Sequence, residues 1–453
     1  MPTIPDEPPG RLTQGTGYPY PHGPVHPAPL TGAISHNFAA PTPSMLRGVT
    51  GKLIMASNTI AGRPQLAALA LHGGTPVSDQ RIQVVAVRLD EADIDAALAV
   101  MRSGMLAQGK NVAELESLFA PMSDAAHAIA CANGTCALQL AYEPLIEPGD
   151  DVLVPAWSYI ATVSMLVARG ANPIWVDADP ATYCIDVEDA RRKVTPRTTA
   201  IAATHMYGNP VDIDAVETLA AEKGLAVVYD AAQSHLAIYN GKGIGAYGDA
   251  VTYSFYPTKN MTTGEGGLVT TNDAELDVML RSLRSHGESE KYVHARIGYN
   301  YRMTDVEAAI GVQQLKRLPE ATARRRENAA TLDRRIAEIP GLHAPVTTSK
   351  AQHAYHLYAV RIDTDAFVTP DDGRSIRQHF QEALLAEGIA TAIHYPRSLT
   401  RQPVFDVPGV DHQPIADTLA QTLMCIPIHQ FLTDRDLVLI GDALAKVADA
   451  YRA

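Results

Sequence analysis

Six short apolar runs recur between stretches of helical pattern from about residue 86 onward, and this alternation restricts the fold more than any other feature of the chain. The runs are Ala128-Ile-Ala-Cys131, Asp151-Val-Leu-Val154, Pro173-Ile-Trp-Val176, Thr199-Ala-Ile-Ala-Ala203, Leu225-Ala-Val-Val-Tyr229 and Ala250-Val-Thr-Tyr-Ser-Phe255. Strands that are apolar throughout, rather than alternating, need cover on both faces, and helical crossovers supply it. The pattern predicts an α/β fold with a mainly parallel sheet flanked by helices, whose ligands gather at the carboxyl ends of the strands.

At 453 residues the chain exceeds one ordinary core, so one large and one smaller domain are expected. Residues 1–45 are rich in Pro, Gly, His and Tyr and read as an irregular arm, in which His22 and His26 lack further metal ligands. Residues 46–85 form an N-terminal extension, with a short apolar helix expected over Pro64–His72 before Gly73-Gly74. The large domain spans 86–325 and opens with a helix over Leu89–Met101. Thr304-Asp-Val-Glu307 is a capping-box sequence with Val306, Ala309 and Ile310 on one helical face. A charged helix after Pro319 leads into a small C-terminal domain, 326–453.

A net charge of −13 argues against a general nucleic-acid surface. The basic stretch Arg281, Arg284, His286, Lys291, His294, Arg296 and Arg302 reads either as a local anion patch or as a salt-bridged face. Cys131, Cys136, Cys184 and Cys425 are scattered without CxxC spacing, which fits a reducing cytoplasm without structural zinc. No basic segment followed by an apolar one opens the chain, and no apolar run approaches the roughly 18 residues of a membrane span. A cytoplasmic protein without membrane contact is expected.

Chemistry concentrates at the ends of the apolar runs. Lys259 lies between the run ending at Phe255 and the glycines Gly264, Gly266 and Gly267, which permit close approach to a ligand. An amine in such a partly desolvated place is easier to deprotonate and can form a Schiff base with a carbonyl. Asn133-Gly134-Thr135 follows a strand and opens a helix, so its N–H groups and the threonine hydroxyl make either a phosphate cradle or an ordinary capped helix start. Asp230, in Tyr229-Asp-Ala-Ala-Gln233-Ser-His235, ends another strand, as a helix cap or as the partner of a protonated ring nitrogen. Together an amine, a carboxylate and an anion cradle meet the needs of a pyridoxal 5′-phosphate site. Gly243-Ile-Gly-Ala-Tyr-Gly248 matches GxGxxG but precedes its strand rather than following one, so it reads as a turn.

At these residues the chain resembles the fold-type I, aspartate aminotransferase-like pyridoxal-phosphate enzymes, and within them the DegT/StrS family of sugar and cyclitol aminotransferases. The resemblance covers roughly residues 85–435. It rests on Ser254-Phe…Lys259…Thr263-Gly-Glu-Gly-Gly267, Asp230-Ala-Ala-Gln233-Ser-His235, His205-Met-Tyr-Gly208 and Gly298-Tyr-Asn-Tyr-Arg-Met-Thr304. It implies that Lys259 forms the internal aldimine and shuttles the proton, that Asp230 holds the pyridine nitrogen, and that Gly134, Thr135 and Ser254 bind the phosphate. It further implies Gln233 near the ring oxygen, Tyr159 rather than Trp157 stacked on the ring, and Asn300 reaching into a neighbouring subunit of a homodimer with shared sites. His205 and His235 either line the pocket or are structural. His394-Tyr-Pro396 resembles the acceptor-side segment. The long N-terminal extension and Tyr256-Pro257 depart from the family's usual chain.

The expected function is transfer of an amino group from an amino acid, glutamate or glutamine, to a keto or aldehyde acceptor. Ketosugars, keto-cyclitols and natural-product intermediates are the candidate acceptors, in antibiotic or surface-sugar pathways. The alternatives are a sugar dehydratase, against which Lys259 argues because histidine stands there in such enzymes, and a non-catalytic regulatory relative.

Overall fold

All six apolar runs form strands in the computed structural model, which describes residues 64–453; the Pro/Gly-rich arm, His22 and His26, and the extension as far as residue 63 lie outside the described residues. The strands are β1 (His127–Cys131), β2 (Asp151–Pro155), β3 (Asn172–Val176), β4 (Thr198–Thr204), β5 (Ala226–Asp230) and β6 (Ala250–Ser254). A seventh, β7 (Gly267–Thr271), was not expected, because Gly267 read as the end of a turn. It inserts between β1 and β6, antiparallel to both, with Cys131 opposite Gly267 and Ser254 opposite Gly267 at its two edges. The sheet runs β1-β7-β6-β5-β4-β2-β3, and every pair not involving β7 is parallel. The lysine segment is therefore the connection between two antiparallel neighbours, β6 and β7.

Helices cover both faces of this sheet because its strands are buried along nearly their whole length. Asp90 caps the helix Glu91–Ser103 in a capping box with Asp93, and Gly104 closes it in the left-handed conformation. The apolar segment before Gly73 is two short 3-10 turns, Pro64–Ala68 and Ala70–His72. The Ala70 N–H in the second turn and the Val77 N–H just beyond Gly74 bond the fully buried Glu387 carboxylate at 2.8 and 3.0 Å, and Lys446 neutralises that carboxylate at 2.8 Å.

Thr304 does cap a helix with Glu307, but that helix is one piece of 33 residues, Asp305–Ala337, and runs through Pro319. Proline there forgoes one backbone bond without ending the helix, since tertiary contacts hold both sides. Ala308, Val312, Leu315 and Leu318 pack into the cluster around the large sheet, whereas Ala329, Leu332 and Ile336 pack into a second cluster. The buried face is Ala308, Ala309 and Val312, with Val306 and Ile310 only half-buried. The second cluster also contains strands Tyr358–Ile362 and Leu423–Ile426 and the helices Ile376–Ala386 and Asp434–Tyr451.

Two residues of the basic stretch are salt-bridged, and the GxGxxG tract is a turn. Arg281 and Arg284 both bond Glu116, at 2.7 and 2.6 Å, and Arg284 also bonds the Ala130 carbonyl, so they fasten the helix Ala274–Arg284 to the sheet edge. Gly243 and Gly245 lie so close to Ser123 that a Cβ would meet its carbonyl oxygen at 2.6 and 2.7 Å, and Gly248 turns with φ +65° into β6. No helix of the described residues is long and apolar enough to cross a membrane.

Candidate active site

The carboxyl ends of β1, β2, β4, β5 and β6 carry, in turn, Asn133-Gly134-Thr135, the loop to Tyr159, Thr204, Asp230 and Ser254. Parallel strands all deliver their last residues to one edge, which is why residues more than a hundred positions apart meet there.

The cradle begins where β1 ends. Asn133 accepts the Cys136 N–H at 2.9 Å and so caps the helix Gly134–Tyr142, while the Gly134 and Thr135 N–H groups have no acceptor among the described residues. Free N–H groups at a helix start favour an anion. Gly134 abuts Ser254: a Cβ at position 134 would sit 2.8 Å from the Ser254 Cβ and 3.2 Å from its Oγ. Thr135 is exposed and Ser254 is 9% exposed, so a hydroxyl is available from each side of this glycine.

Asp230 is the last residue of β5 and is 5% exposed. Its Oδ1 accepts the Ala232 N–H at 3.0 Å, and its Oδ2 accepts the Thr162 hydroxyl at 2.6 Å. Burial pushes its carboxyl above the usual range, and Thr162, Ala232 and the Lys259 charge oppose that push.

Lys259 sits in a loop that folds back on the end of β6. Phe255 donates to the Gly266 carbonyl at 2.8 Å, Thr263 N–H and Thr262 Oγ1 both donate to the Phe255 carbonyl, and Lys259 N–H donates to the Tyr256 carbonyl. The glycines act differently from the ligand-approach role expected of them. A Cβ on Gly267 would meet the Asn133 carbonyl oxygen at 2.3 Å, and one on Gly266 would meet Thr263 Oγ1 at 2.2 Å, so these two admit neighbouring protein; only Gly264, at φ +91°, faces open space.

Burial brings the Lys259 amine down to about 8 from 10.5, with Asp230 pulling the other way. The sign has a direct consequence. Between about pH 8 and 10.5 the unfolded chain binds the proton that the folded chain has lost, so this group's contribution makes stability rise with pH across that window. In the cofactor-free protein, acylation of Lys259 followed by peptide mapping should titrate with a midpoint near pH 8; a midpoint above 10 would contradict the desolvated environment.

Gln233, 4% exposed, accepts the Tyr207 N–H at 2.7 Å and donates to the Tyr395 hydroxyl at 3.1 Å. It thereby ties the site to His394-Tyr395, whose His394 feels the Lys259 charge. Tyr159 is 56% exposed with its ring 5.8 Å from that of Tyr395, whereas Trp157 is 2% exposed and donates its indole N–H to Tyr207. The exposed tyrosine, not the tryptophan, has a free ring face.

The two histidines differ. His205 is stacked on Tyr229 at 4.9 Å and accepts the Val211 N–H on Nδ1, which makes it a neutral wall residue that burial holds near 3. His235 is equally buried but feels Lys259, as does His356, which faces Asn260 at 3.3 Å. Asn300 is exposed, and its side chain makes no hydrogen bond among the described residues. Sequence reasoning missed Thr162, Ser158, Thr204, Asn260 and His356. The i, i+4 spacing of Ser158 and Thr162 was a usable signal only once Asp230 was known to lie beside them.

A cavity of about 700 Å³ opens beside Lys259, bounded by Arg88, Arg317, Arg324, Phe431 and the loop from Pro257 to Thr262. Arg317 is committed to Asp90 and Asp93 at 2.9 and 2.7 Å, while Arg88 lies 4.3 Å over the Phe431 ring. Among the described residues no cluster of three metal-ligating side chains occurs.

An uncovered helix start next to a serine, a buried carboxylate and a lowered amine suit the phosphate, ring nitrogen and aldehyde of pyridoxal phosphate. Comparison with known proteins agrees with that fit. The model of the DegT/DnrJ/EryC1/StrS aminotransferase family matches residues 87–445. The chain is 36% identical to a pleiotropic regulatory protein of Geobacillus stearothermophilus, over 78% of this chain and 92% of the relative. It is 35% identical to the UDP-2-acetamido-2-deoxy-3-oxo-D-glucuronate aminotransferase of Pseudomonas aeruginosa, over 78% and 95%. The X-ray structure of DesV from S. venezuelae superposes with a TM-score of 0.74 at 34% identity, covering 79% of this chain and 94% of that one. With its sheet, its site and these likenesses in agreement, the chain belongs to the DegT/DnrJ/EryC1/StrS aminotransferase family and is a fold-type I, pyridoxal-phosphate-dependent aminotransferase.

Proposed function

We propose that this enzyme moves an amino group from glutamate or glutamine to the keto group of a nucleotide-linked sugar. The observation that carries the reading is the meeting of Lys259, Asp230 and the Gly134-Thr135-Ser254 cradle at one sheet edge. Pyridoxal phosphate, when bound, supplies an aldehyde for an amine and a ring that withdraws electrons from the donor's Cα. Lys259 Nζ holds it covalently and, once released, takes the proton from the donor's Cα, a task suited to an amine brought near neutrality. The Gly134 and Thr135 N–H groups with the Thr135 and Ser254 hydroxyls hold the phosphate. Asp230 would hold the ring nitrogen in its protonated form, Tyr159 would cover the ring face, and the remaining Gln233 N–H would be available to the ring oxygen.

Relatives named for GDP- and dTDP-linked amino sugars support the nucleotide-linked acceptor class over a small aldehyde. A relative named for a UDP-linked 3-oxo sugar supports it as well. Asn300 acts in the site of a second copy: it is exposed, and nearby Tyr292 and Ile297 are 80% and 91% exposed, as suits residues that a homodimer covers. Four unpaired cysteines support a reducing, cytoplasmic setting.

The test is to load the full-length enzyme with pyridoxamine phosphate and follow return of the aldehyde form's absorbance with UDP- and dTDP-linked ketosugars, keto-cyclitols and aromatic aldehydes. A nucleotide-linked ketosugar should react at least about tenfold faster than the other classes, the margin that a few buried polar contacts supply. Fastest reaction with a cyclitol or an aromatic aldehyde would overturn the acceptor assignment while leaving the transaminase intact.

A further inference from the structure

Beneath Asp230 lies a run of buried hydroxyls that no other part of the site requires. Thr162 is 0%, Ser158 3% and Thr204 4% exposed. Thr162 Oγ1 lies 2.6 Å from Asp230 Oδ2, Ser158 Oγ lies 2.8 Å from Thr162 Oγ1, and Thr204 Oγ1 lies 2.9 Å from Ser158 Oγ.

The proton count sets the direction of this chain. An ionised carboxylate only accepts, so the single Thr162 proton is spent on Asp230. Thr162 must then accept from Ser158, whose own single proton is thereby used. Ser158 in turn accepts from Thr204 at 2.9 Å, the shorter of the two contacts Thr204 Oγ1 makes, since it also lies 3.5 Å from Thr162 Oγ1. Every hydroxyl dipole points at the carboxylate, and each bond strengthens the next in a site from which water is excluded. The chain spans three elements, since Ser158 follows β2, Thr162 opens the helix Ala161–Arg169, and Thr204 ends β4.

We propose that Thr204, Ser158 and Thr162 form a one-way hydroxyl chain that keeps Asp230 ionised and aimed, so that its carboxylate recognises a protonated pyridine nitrogen. The proposal rests on the cofactor assignment above, and these three are positioning residues that act through Asp230. Apart from Thr162, the Ala232 N–H donates to Asp230 at Oδ1, 3.0 Å away, which leaves Oδ2 dependent on the hydroxyl chain. Tyr142 and Tyr395 are held neutral by burial, and the Tyr142 hydroxyl is spent on the Thr162 carbonyl at 2.8 Å. Lys259, the one cation acting on it among the described residues, is half-buried and itself brought close to losing its charge.

The test measures binding, not turnover. Cofactor-free full-length protein is titrated with pyridoxamine 5′-phosphate and with the analogue whose ring nitrogen is replaced by C–H, neither of which bonds covalently to Lys259. Thr162→Val, which keeps the shape, should weaken the nitrogen-bearing ligand about tenfold or more, as loss of a hydrogen bond to a charged group does, and the analogue by less than about twofold. Thr162→Ser should restore binding to within about threefold. Thr204→Val, which leaves Asp230's own contacts untouched, should produce a smaller loss, about threefold, again confined to the nitrogen-bearing ligand, and it carries the test if Thr162→Val fails to fold. Equal weakening of both ligands would show a packing role and overturn the proposal, as would unchanged binding of both. Failure of both ligands to bind even the wild type would instead overturn the cofactor assignment.

Discussion

Lys259→Ala should abolish amino transfer, lowering it by roughly four orders of magnitude or more, because on the proposed roles the variant loses both the covalent anchor and the group that moves the Cα proton. Among the described residues no other lysine is paired electrostatically with Asp230, and the flanking His235, His356 and His394 are all brought down by burial, so none is a ready substitute. The cradle at Gly134 and Ser254 and the carboxylate of Asp230 stay in place, so the variant should still bind the cofactor, released by dialysis and not fixed by borohydride. Single-turnover reaction with glutamate and glutamine, read by absorbance, checks the rate. Retention of more than about a tenth of wild-type turnover would rule out the proton-moving role, since general acid–base catalysis alone accounts for more than that.

The second large effect is expected at Asp230→Asn. The amide keeps the shape but offers the ring nitrogen no charge, and Thr162, which donates at 2.6 Å, loses its carboxylate acceptor. A fall in kcat of about 10²–10³-fold is expected, the size typical of removing one preorganised electrostatic partner, with a smaller change in KM for the donor. The kcat loss should be largest for proton removal from the donor's Cα, which a primary isotope effect with Cα-deuterated glutamate reports. Wild-type kcat in this variant would remove Asp230 from the mechanism. These two variants also separate enzyme from regulator: a non-catalytic relative would be indifferent to both.

Much of this protein was legible from residues 86 onward in its one-dimensional pattern. Fully apolar strands alternating with helices demand a sheet covered on both faces, and all six predicted strands form. Caps at Asn133 and Thr304 were legible because a cap is a local matter of a side chain and a backbone N–H three residues on. What local pattern misread were cases in which distant contacts override propensity. Pro319 stays inside a helix because two separate apolar clusters grip it on either side, and Gly267 starts a strand because only a residue without Cβ fits against the Asn133 carbonyl.

The same division runs through the site. From sequence alone came the candidates Lys259, Asp230 and the cradle, because each stands near a strand end where backbone chemistry marks it. Only the tertiary structure decided how those groups are poised. Burial lowers the Lys259 amine and raises the Asp230 carboxyl, Gly134 seats against Ser254, and Thr162 reaches Asp230 across 68 positions of chain. Desolvation and hydrogen-bond direction are properties of everything packed around a group, and parallel strands collect those surroundings from loops that lie far apart in sequence.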